Sequence, residues 1–257
     1  MQLPPVATTV AMPLIELKSV DSTNNYALDQ IHANLAQPGY CYFAHEQTAG
    51  KGQRGKSWAT EKDSDIAMSI VLQPQPLLIF QQFRISACVA VATYDFLLKY
   101  AGRQLRIKWP NDLYWKKKKL GGILIENVVR SKGSGVITWD WSVAGIGINV
   151  NRSKFPEELK NAISLSQIRR QKFDRIYLAE ELCRSVDHYY RLLMTNGFAS
   201  ILDRYNAVLY KKDKLVKLKK ANRVFETRIK SVSETGQLIT QHAIEERFDF
   251  GEVEWLL

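Results

Sequence analysis

A glycine-rich basic segment from Gly50 to Ser57 has the residue types that most directly suggest chemistry, reading Gly-Lys-Gly-Gln-Arg-Gly-Lys-Ser. Its three glycines permit the backbone to approach a ligand closely. Lys51, Arg54 and Lys56 add three cations to the same short stretch, and charge-assisted hydrogen bonds to anions are strong. The segment is therefore a candidate anion-binding loop; a solvated basic turn between two strands is the plain alternative.

The same segment matches two phosphate-binding patterns, G-x-G-x-x-G and G-x-x-x-x-G-K-[ST]. Both patterns require a helix that begins at the loop, because the helix N-terminus supplies the amides that hold the phosphate. Residues 58–65 show no apolar helical periodicity, and residues 137–140 are a poor fit to the acidic strand of a P-loop protein. We therefore expect neither a P-loop nor a dinucleotide-binding fold.

Three more segments place polar residues and glycines at the ends of predicted strands. They are Lys108–Asp112 (Lys-Trp-Pro-Asn-Asp), Lys119–Glu126 (Lys-Leu-Gly-Gly-Ile-Leu-Ile-Glu) and Gly145–Val150 (Gly-Ile-Gly-Ile-Asn-Val). In the last of them Gly145, Gly147 and Asn149 share one face, because side chains alternate along a strand. Two glycines on one face either weaken the packing of a strand or make room for a ligand against the sheet, and we favour the ligand.

Hydrophobic spacing predicts the elements that position these segments. Asp21-Ser22-Thr23-Asn24 offers side-chain oxygens for an N-cap before a short helix, so these residues are also open to a purely structural interpretation. Longer helices are predicted from apolar residues spaced over 85–96, 176–193 and 198–209. Strands are predicted over 40–44, 66–72, 105–108, 120–129 and 136–150. The last two strands are close enough to form a hairpin.

This order of elements predicts an α+β fold with a central, mostly antiparallel sheet flanked by helices. The pattern changes after Tyr210, where short strands are predicted over 214–219, 225–232, 237–241 and 245–250 with a turn at 234–236. So few residues suffice only for a small β-barrel. We therefore place a domain boundary near residue 210, giving predicted domains 1–209 and 210–257.

Composition restricts the class of protein. Of the 257 residues, 46% are apolar and 24% charged, which excludes disordered and collagen-like chains. No run approaches the roughly 20 apolar residues that span a bilayer, and no signal peptide is recognisable. Three cysteines without a C-x-x-C pair suggest neither a disulfide framework nor a zinc site, and they fit a reducing cytoplasm. The net charge of +10 implies an anionic partner: a nucleotide, a nucleic acid or an acidic protein.

Taken together and in this order, the segments resemble biotin protein ligases, which attach biotin to the carrier domains of biotin-dependent carboxylases. The resemblance is carried by Asp21–Asn24, Gln47–Ala49 with the loop to Lys56 and Trp58, Lys108–Asp112, Lys119–Glu126 and Gly145–Asn149. It implies a class II synthetase-like catalytic fold with a small SH3-like β-barrel at the C-terminal end. Since no helix-turn-helix can be fitted before Asp21, the chain resembles the short class without an N-terminal DNA-binding domain.

The resemblance implies an activity in two steps. Biotin and ATP give biotinyl-5′-AMP and pyrophosphate, after which a carrier lysine attacks the mixed anhydride and AMP leaves. An anionic carboxylate must attack an anionic phosphate, so fixed cations and Mg²⁺ are needed to stabilise the charge-rich transition state. The implied catalytic residues are Lys108 and Arg54, with Lys51 and Lys56 as further cations.

Binding residues are implied in the same way. Ser22, Thr23, Asn24 and Gln47 would hydrogen-bond the ureido head group of biotin, a kind of site that rejects analogues without those groups. Further residues beside biotin would be Gly50, Lys51, Gly52, Gln53, Lys108, Gly121, Gly122, Gly145 and Gly147. The adenylate would lie against Lys51, Arg54, Lys56, Trp58 and Asn149. No dedicated set of protein metal ligands is expected, so Mg²⁺ would arrive with ATP.

The implied partners are biotin, ATP and a biotin carboxyl carrier domain in the cytoplasm. Neither DNA nor a membrane is expected as a partner, and a homodimer is left open. A lipoate or octanoate ligase is the nearest rival, and a basic nucleic-acid-binding protein is the rival from another class. One departure from the family pattern is Gln53, which stands where related loops carry arginine and so removes one charge from the loop.

Overall fold

The protein is described by a computed structural model that covers residues 13–132 and 136–256. The expectation that no helix-turn-helix precedes Asp21 falls mainly on residues 1–12, which lie outside the described residues. The strands are β1 Leu14–Leu17, β2 Cys41–Ala44, β3 Ile66–Leu72, β4 Leu105–Lys108, β5 Asp112–Trp115, β6 Lys118–Lys132, β7 Val136–Ile148, β8 Leu215–Lys220, β9 Arg223–Val232, β10 Leu238–Gln241, β11 Glu245–Phe248 and β12 Glu254–Leu256. The helices are α1 Thr23–His32, α2 Gln82–Ala101, α3 Leu165–Arg169, α4 Arg175–Met194 and α5 Phe198–Ala207.

The first seven strands form one sheet in the order β1-β2-β3-β7-β6-β5-β4. Its neighbouring strands are antiparallel except for β1 and β2, which are parallel. This confirms the central, mostly antiparallel sheet. The hairpin of β6 and β7 lies at its centre and pairs Gly122 with Gly147 and Leu124 with Gly145, which brings the glycines of the two predicted segments side by side.

The two faces of this sheet are covered unequally. Phe43 and Ile70 belong to the large core that includes α2, α4 and α5. The alternate residues Tyr42 and Val71 pack with Ala27 and Ile31 of α1 in a smaller cluster. Because side chains alternate along a strand, the large core and α1 lie on opposite faces. The single short helix α1 leaves part of its face open, and this face carries the glycines.

The N-terminus of α1 shows whether Ser22 acts as a helix cap. Ser22 occupies the N-cap position with extended backbone angles, but its side chain makes no cap hydrogen bond within the described part of the chain. The Ser22 hydroxyl therefore does not serve as a conventional cap, which is the commonest structural use of a serine at this position.

The remaining strands form a second sheet in the order β11-β10-β9-β8-β12. The structure thus gives a small C-terminal sheet, while its closure into an SH3-like barrel and the boundary near residue 210 stay predictions. This sheet packs closely on the first one through Trp109, whose Nε1 donates to the carbonyl of Gly236 at 2.9 Å and whose ring meets Phe250 edge-on at 6.1 Å between centroids.

Four elements were not predicted: β1, β5, α3 and β12. The segment Lys108–Asp112 was expected to end a strand, and β4 does end at Lys108. The chain then turns and returns at once as β5, with Lys108 paired to Asp112. The turn between β5 and β6 consists of residues 116–117. Among the described residues, no helix combines the length and apolarity needed to cross a bilayer.

Candidate active site

A cavity of about 1050 Å³ opens beside the β6–β7 hairpin, between α1, the basic loop and the C-terminal sheet. This volume lies at the upper end of the usual range for small-molecule sites, ~300 to 1,000 Å³. Its lining includes the predicted residues Ser22, Thr23, Asn24, Gln47, Lys51, Gly52, Gln53, Arg54, Lys56, Trp58, Lys108, Gly122, Gly145, Gly147 and Asn149. The fold therefore gathers residues that are far apart in sequence into one site.

Gly50 and Gly121 are the two predicted residues outside that lining. A Cβ atom on Gly50 would lie 2.7 Å from Nε2 of Gln47 and would also collide with the Trp58 carbonyl. A Cβ atom on Gly121 would lie 2.9 Å from the carbonyl oxygen of Gly147. Both glycines therefore permit close packing of the backbone, and neither lines the cavity.

One part of the cavity, which we call the head-group end, is lined by the neutral side chains of Thr23, Asn24 and Gln47 and is supported by Ser69, which bonds to two of them. The backbone N–H and the hydroxyl of Thr23 both donate to Oε1 of Gln47, at 2.8 and 3.1 Å. Ser69 Oγ lies 2.7 Å from Thr23 Oγ1 and donates to Asn24 Oδ1 at 2.6 Å. Thr23, Asn24 and Ser69 are at most 3% exposed, so the network is fixed before any ligand arrives.

Asn24 is held from its other side as well. Its Nδ2 donates to Oε2 of Glu126 at 2.7 Å and to the carbonyl of Leu124 at 3.4 Å. The amide lies directly over Gly145, where an added Cβ would collide with it. Gly145 thus makes room for a protein side chain of the head-group end, and its neighbour Leu124 lines the cavity.

Trp58 lies against the second glycine of β7. A Cβ atom on Gly147 would collide with the indole ring, 2.5 Å from Nε1. This Nε1 is buried and has no hydrogen-bond partner among the described residues. Buried indole N–H groups normally have a partner, so this donor marks a point at which a ligand acceptor would be favourable.

The other part of the cavity, the cationic end, is built around Lys108. Its Nζ lies 5.1 Å from the ring centroid of Tyr114 and 5.4 Å from that of Trp255. Burial lowers the pKa of Lys108; Asp112 opposes this decrease, and the nearby Lys119 and Lys56 add to it. Aromatic faces attract cations, so the two rings help to keep a charged amine in a place that otherwise disfavours it.

Lys119 and Asp112 complete the cationic end. Lys119 Nζ lies 2.7 Å from Oδ1 of Asp112 and 5.4 Å from the ring centroid of Trp58. Sequence reasoning counted Lys119 as a motif residue but gave it no role, although it lines the cavity beside Lys108. Asn149 also lines the cavity, but its Nδ2 donates to the carbonyls of Ile163 and Lys119, at 3.2 and 3.4 Å. Its amide N–H groups therefore tie strand ends together.

The basic loop is attached at two points. Lys51 Nζ lies 3.5 Å from Oε1 of Glu126. Arg54, in the left-handed region with φ 56°, donates from Nη1 to the carbonyl of Gly251 at 3.1 Å. Arg54 thus contacts the C-terminal sheet rather than the cationic end.

Sequence reasoning missed the wall of the cavity that the C-terminal sheet provides. That wall consists of Lys219, Ala221, Phe250, Gly251, Glu252, Val253, Glu254 and Trp255. These residues were assigned to a separate domain, and the spacing of short strands in sequence does not reveal which face of a second sheet meets the first. Ser69 and Glu126 were missed for a similar reason, because their contacts depend on the strand register.

Part of the chain also matches a known protein family. A sequence profile described as the Biotin/lipoate A/B protein ligase family matches residues 16–141. The chain therefore contains the domain of this family over residues 16–141. The matched span holds α1, the basic loop and most of the β6–β7 hairpin, and so includes every residue of the head-group end.

Individual relatives agree with the family assignment. The chain is 35% identical over 188 residues to the bifunctional ligase/repressor BirA of Bacillus spizizenii, covering 72% of this chain and 56% of the relative. It is 34% identical to the biotin–[acetyl-CoA-carboxylase] ligase of Paracoccus denitrificans, covering 55% of each protein. The chain thus spans little more than half the length of these curated relatives.

Solved structures show the same fold over nearly the whole chain. The biotin protein ligase from Aquifex aeolicus in complex with biotin and ATP superposes with a TM-score of 0.78 and 24% sequence identity, covering 95% of this chain and 98% of that one. At this identity the likeness establishes the fold, including the C-terminal sheet. In the described part of the chain, no group of three or more His, Cys, Asp or Glu side chains is placed to hold a metal ion.

Proposed function

We propose that this protein is an ATP-dependent ligase that activates biotin as biotinyl-5′-AMP and transfers it to the lysine amine of a biotin carboxyl carrier domain. The observation that supports this most is the adjacency of two unlike environments along one hairpin. A buried neutral network lies at Gly145, and a group of lysines lies beyond Gly147. Biotin has the same division, since a neutral ureido ring is joined by an apolar chain to a carboxylate.

The head-group end suits the ureido unit, which presents one carbonyl acceptor and two N–H donors. Thr23, Asn24 and Gln47 offer hydroxyl and amide groups whose orientation is already set by their mutual hydrogen bonds. A preorganised polar site rejects ligands that leave its groups unpaired. This favours biotin over lipoate or octanoate, whose corresponding ends are apolar.

The cationic end suits the first reaction step. A carboxylate oxygen of biotin attacks the α-phosphorus of ATP, the bond to the pyrophosphate oxygen breaks, and pyrophosphate leaves. Lys108 and Lys119 would stabilise the negative charge shared by the carboxylate and the phosphate, because both amines line the cavity beside the glycine face. ATP would enter as its magnesium complex, in which the ion further neutralises the phosphates.

In the second step the uncharged amine of the carrier lysine attacks the acyl carbonyl of the adenylate. The carbon–oxygen bond to AMP breaks, an amide forms and the amine gives up a proton. Lys108 would remain beside the leaving phosphate and favour its departure. The three free cysteines are all buried and none is paired in a disulfide, which fits our assignment of the reaction to the cytoplasm.

The test is isotope exchange between pyrophosphate and ATP, with biotin, lipoate or octanoate as the single variable. We expect exchange with biotin and much less with the other two acids. If exchange requires lipoate or octanoate instead of biotin, the proposal is wrong and the protein has the rival ligase activity. Transfer is then checked by incubating the protein with biotin, MgATP and a carrier domain, and by locating the modified lysine by mass spectrometry.

A further inference from the structure

Arg152 and Asp65 form a buried ion pair next to the cavity. Nε of Arg152 lies 2.6 Å from Oδ2 of Asp65, and the two side chains are 5% and 1% exposed. Neither residue lines the cavity. Arg152 is therefore not one of the cations that would face a bound phosphate, and its charge is balanced by Asp65.

The ion pair holds the chain just after Trp58. Nη2 of Arg152 donates to the carbonyl of Ala59 at 2.7 Å, and Oδ2 of Asp65 accepts from the backbone N–H of Glu61 at 3.2 Å. Trp58 and Ala59 both line the cavity. The pair thus fixes the backbone that carries the indole ring into the cavity wall.

The same ion pair holds the chain that follows β7. Oδ1 of Asp65 accepts from the backbone N–H of Val150 at 3.3 Å. The guanidinium of Arg152 lies over the ring of Phe155, 5.5 Å from its centroid, and Phe155 lines the cavity. The hydroxyl of Ser164 donates to the carbonyl of Arg152 at 2.6 Å. Two segments of the cavity wall that are distant in sequence therefore depend on one pair.

The second of these segments lies beside the cationic end. The backbone N–H of Lys119 donates to the carbonyl of Asn161 at 2.7 Å, and its carbonyl accepts from the N–H of Ile163 at 2.9 Å. Phe155, Leu159 and Ala162 line the cavity here. Aromatic faces stack on nucleobases, so this wall suits the base of a nucleotide whose phosphates meet the lysines.

Stability alone does not account for such a pair. Burying two charges costs free energy, and apolar side chains of similar volume are often as stabilising or more so. Burial raises the pKa of Asp65, which Arg152 and two backbone N–H groups oppose. What the charged groups provide and apolar ones would not is a set of directed hydrogen bonds to Ala59, Glu61 and Val150.

We propose that Arg152 and Asp65 are positioning residues for the nucleotide; this rests on the proposed function. The pair fixes Trp58 and Phe155 relative to each other before ATP arrives, so less conformational freedom is lost when the nucleotide binds. The hydrogen bonds that orient the head-group end involve neither residue. The pair should therefore affect the affinity for the nucleotide and not that for biotin.

Replacing one or both partners separates positioning from stability. Arg152→Met leaves Asp65 buried without its partner, whereas Arg152→Met combined with Asp65→Leu makes the whole place apolar. Arg152→Lys keeps the charge but loses the fork that reaches two groups at once. Asp95→Asn is the control, because it breaks the pair of Asp95 with Arg204, at 2.5 Å, which joins α2 and α5 outside the cavity lining.

Calorimetry measures two affinities for each protein, and thermal unfolding measures its stability. The first ligand is biotin. The second is the magnesium complex of an ATP analogue with a methylene bridge between the α- and β-phosphates, added at saturating biotin. This analogue cannot release pyrophosphate, so its binding is measured without reaction.

We expect Arg152→Met to lower the thermal transition and to bind the analogue about tenfold more weakly, with biotin affinity within about twofold of the parent. The double variant should regain most of the lost stability, because no unpaired charge remains buried. Its affinity for the analogue should nevertheless stay about tenfold below the parent value. Arg152→Lys should show the same loss with a smaller change in stability. Asp95→Asn should lower the transition and bind the analogue as the parent does.

Parent-like affinity for the analogue in the double variant overturns the inference, because the pair would then serve stability only. If the double variant does not fold, parent-like affinity in Arg152→Lys has the same meaning. An equal loss of biotin affinity, or an equal loss in Asp95→Asn, also overturns it. These results leave the proposed function intact. That function fails instead if the parent binds both ligands but shows no biotin-dependent pyrophosphate exchange with ATP.

Discussion

The head-group end and the cationic end of the cavity differ in how their polar groups are satisfied. Thr23, Asn24 and Ser69 are buried, neutral and bonded to one another without a ligand. At the cationic end, Lys108 has two lysines as electrostatic neighbours and relies on Asp112 and aromatic rings for compensation. The first end is arranged for selection by shape and hydrogen bonding. The lysines at the second end repel one another, and bound anions would reduce this repulsion.

The largest expected effect is at the cationic end. Lys108→Ala should slow formation of biotinyl-AMP by roughly 10² to 10³, or about 3 to 4 kcal/mol, because it removes a charge that matters most in the transition state. Biotin affinity should change far less. Single-turnover adenylation measures the effect, with the exposed Lys118→Ala as control. A Lys108→Ala protein with the parent rate would remove this residue from the proposed chemistry.

Ser69→Ala tests the head-group end and should have a smaller effect. It removes the hydroxyl that holds the amide oxygen of Asn24 in place, so the amide is no longer preorganised for the ligand, and biotin affinity should fall roughly tenfold, or about 1.4 kcal/mol. The adenylation rate at saturating biotin should be nearly unchanged. Ser142→Ala is the control, since this equally buried serine bonds to Asn127 at 2.7 Å and makes no hydrogen bond to the head-group end. Equal biotin affinities of the two variants would contradict the assignment.

Gln53→Arg tests how firmly the basic loop holds the adenylate. Arg54 is engaged with Gly251, so an added arginine at 53 should supply a charge-assisted bond to the adenylate that the loop now lacks. We expect release of biotinyl-AMP to slow about tenfold, corresponding to about 1.5 kcal/mol. A single-turnover chase compares the two proteins. Equal or faster release from the variant would mean that Gln53 leaves no deficit in the loop.

The smallest effect concerns pH. Burial lowers the pKa of Lys108, so this amine loses its proton at a lower pH than an ordinary lysine does. The adenylation rate should therefore decline on the alkaline side as pH rises through that lowered pKa. Lys56→Gln removes one neighbouring cation and should move the decline to higher pH. If the alkaline decline of the adenylation rate stays at the same pH in this variant, or moves to lower pH, then a group other than Lys108 causes it.

Much of the fold follows from the chain's hydrophobic pattern. The strand at Ile66–Leu72 is continuous, apolar and buried along its whole length, and such a run bounded by polar segments is easily recognised. β1 is harder, because four residues beside a proline-containing leader have no pattern of their own and become a strand only by pairing in parallel with β2. β5 is equally dependent on its partners, since it has only four residues and begins inside a segment that otherwise reads as a loop.

The site shows a corresponding limit. Thr23, Gln47 and Lys108 could be named because they lie in short recognisable motifs. Ser69 lies in the middle of an apolar strand and gives no local signal; its importance comes from the register that places it opposite Gly145. Trp255 contributes to the cavity only because a second sheet packs on the first. Motifs therefore revealed the residues that are local in sequence, and register and sheet packing supplied the others.

The docking of Trp109 has a consequence for exchanging parts between related enzymes. Its indole is bonded to Gly236 and packed on Phe250, while the adjacent residue is the proposed catalytic Lys108. The position of that amine therefore depends on both sheets. A chimera that received a foreign C-terminal sheet would need the matching 105–115 hairpin with it. Otherwise the substituted half would shift the proposed catalytic amine while every residue of the head-group end stayed in place.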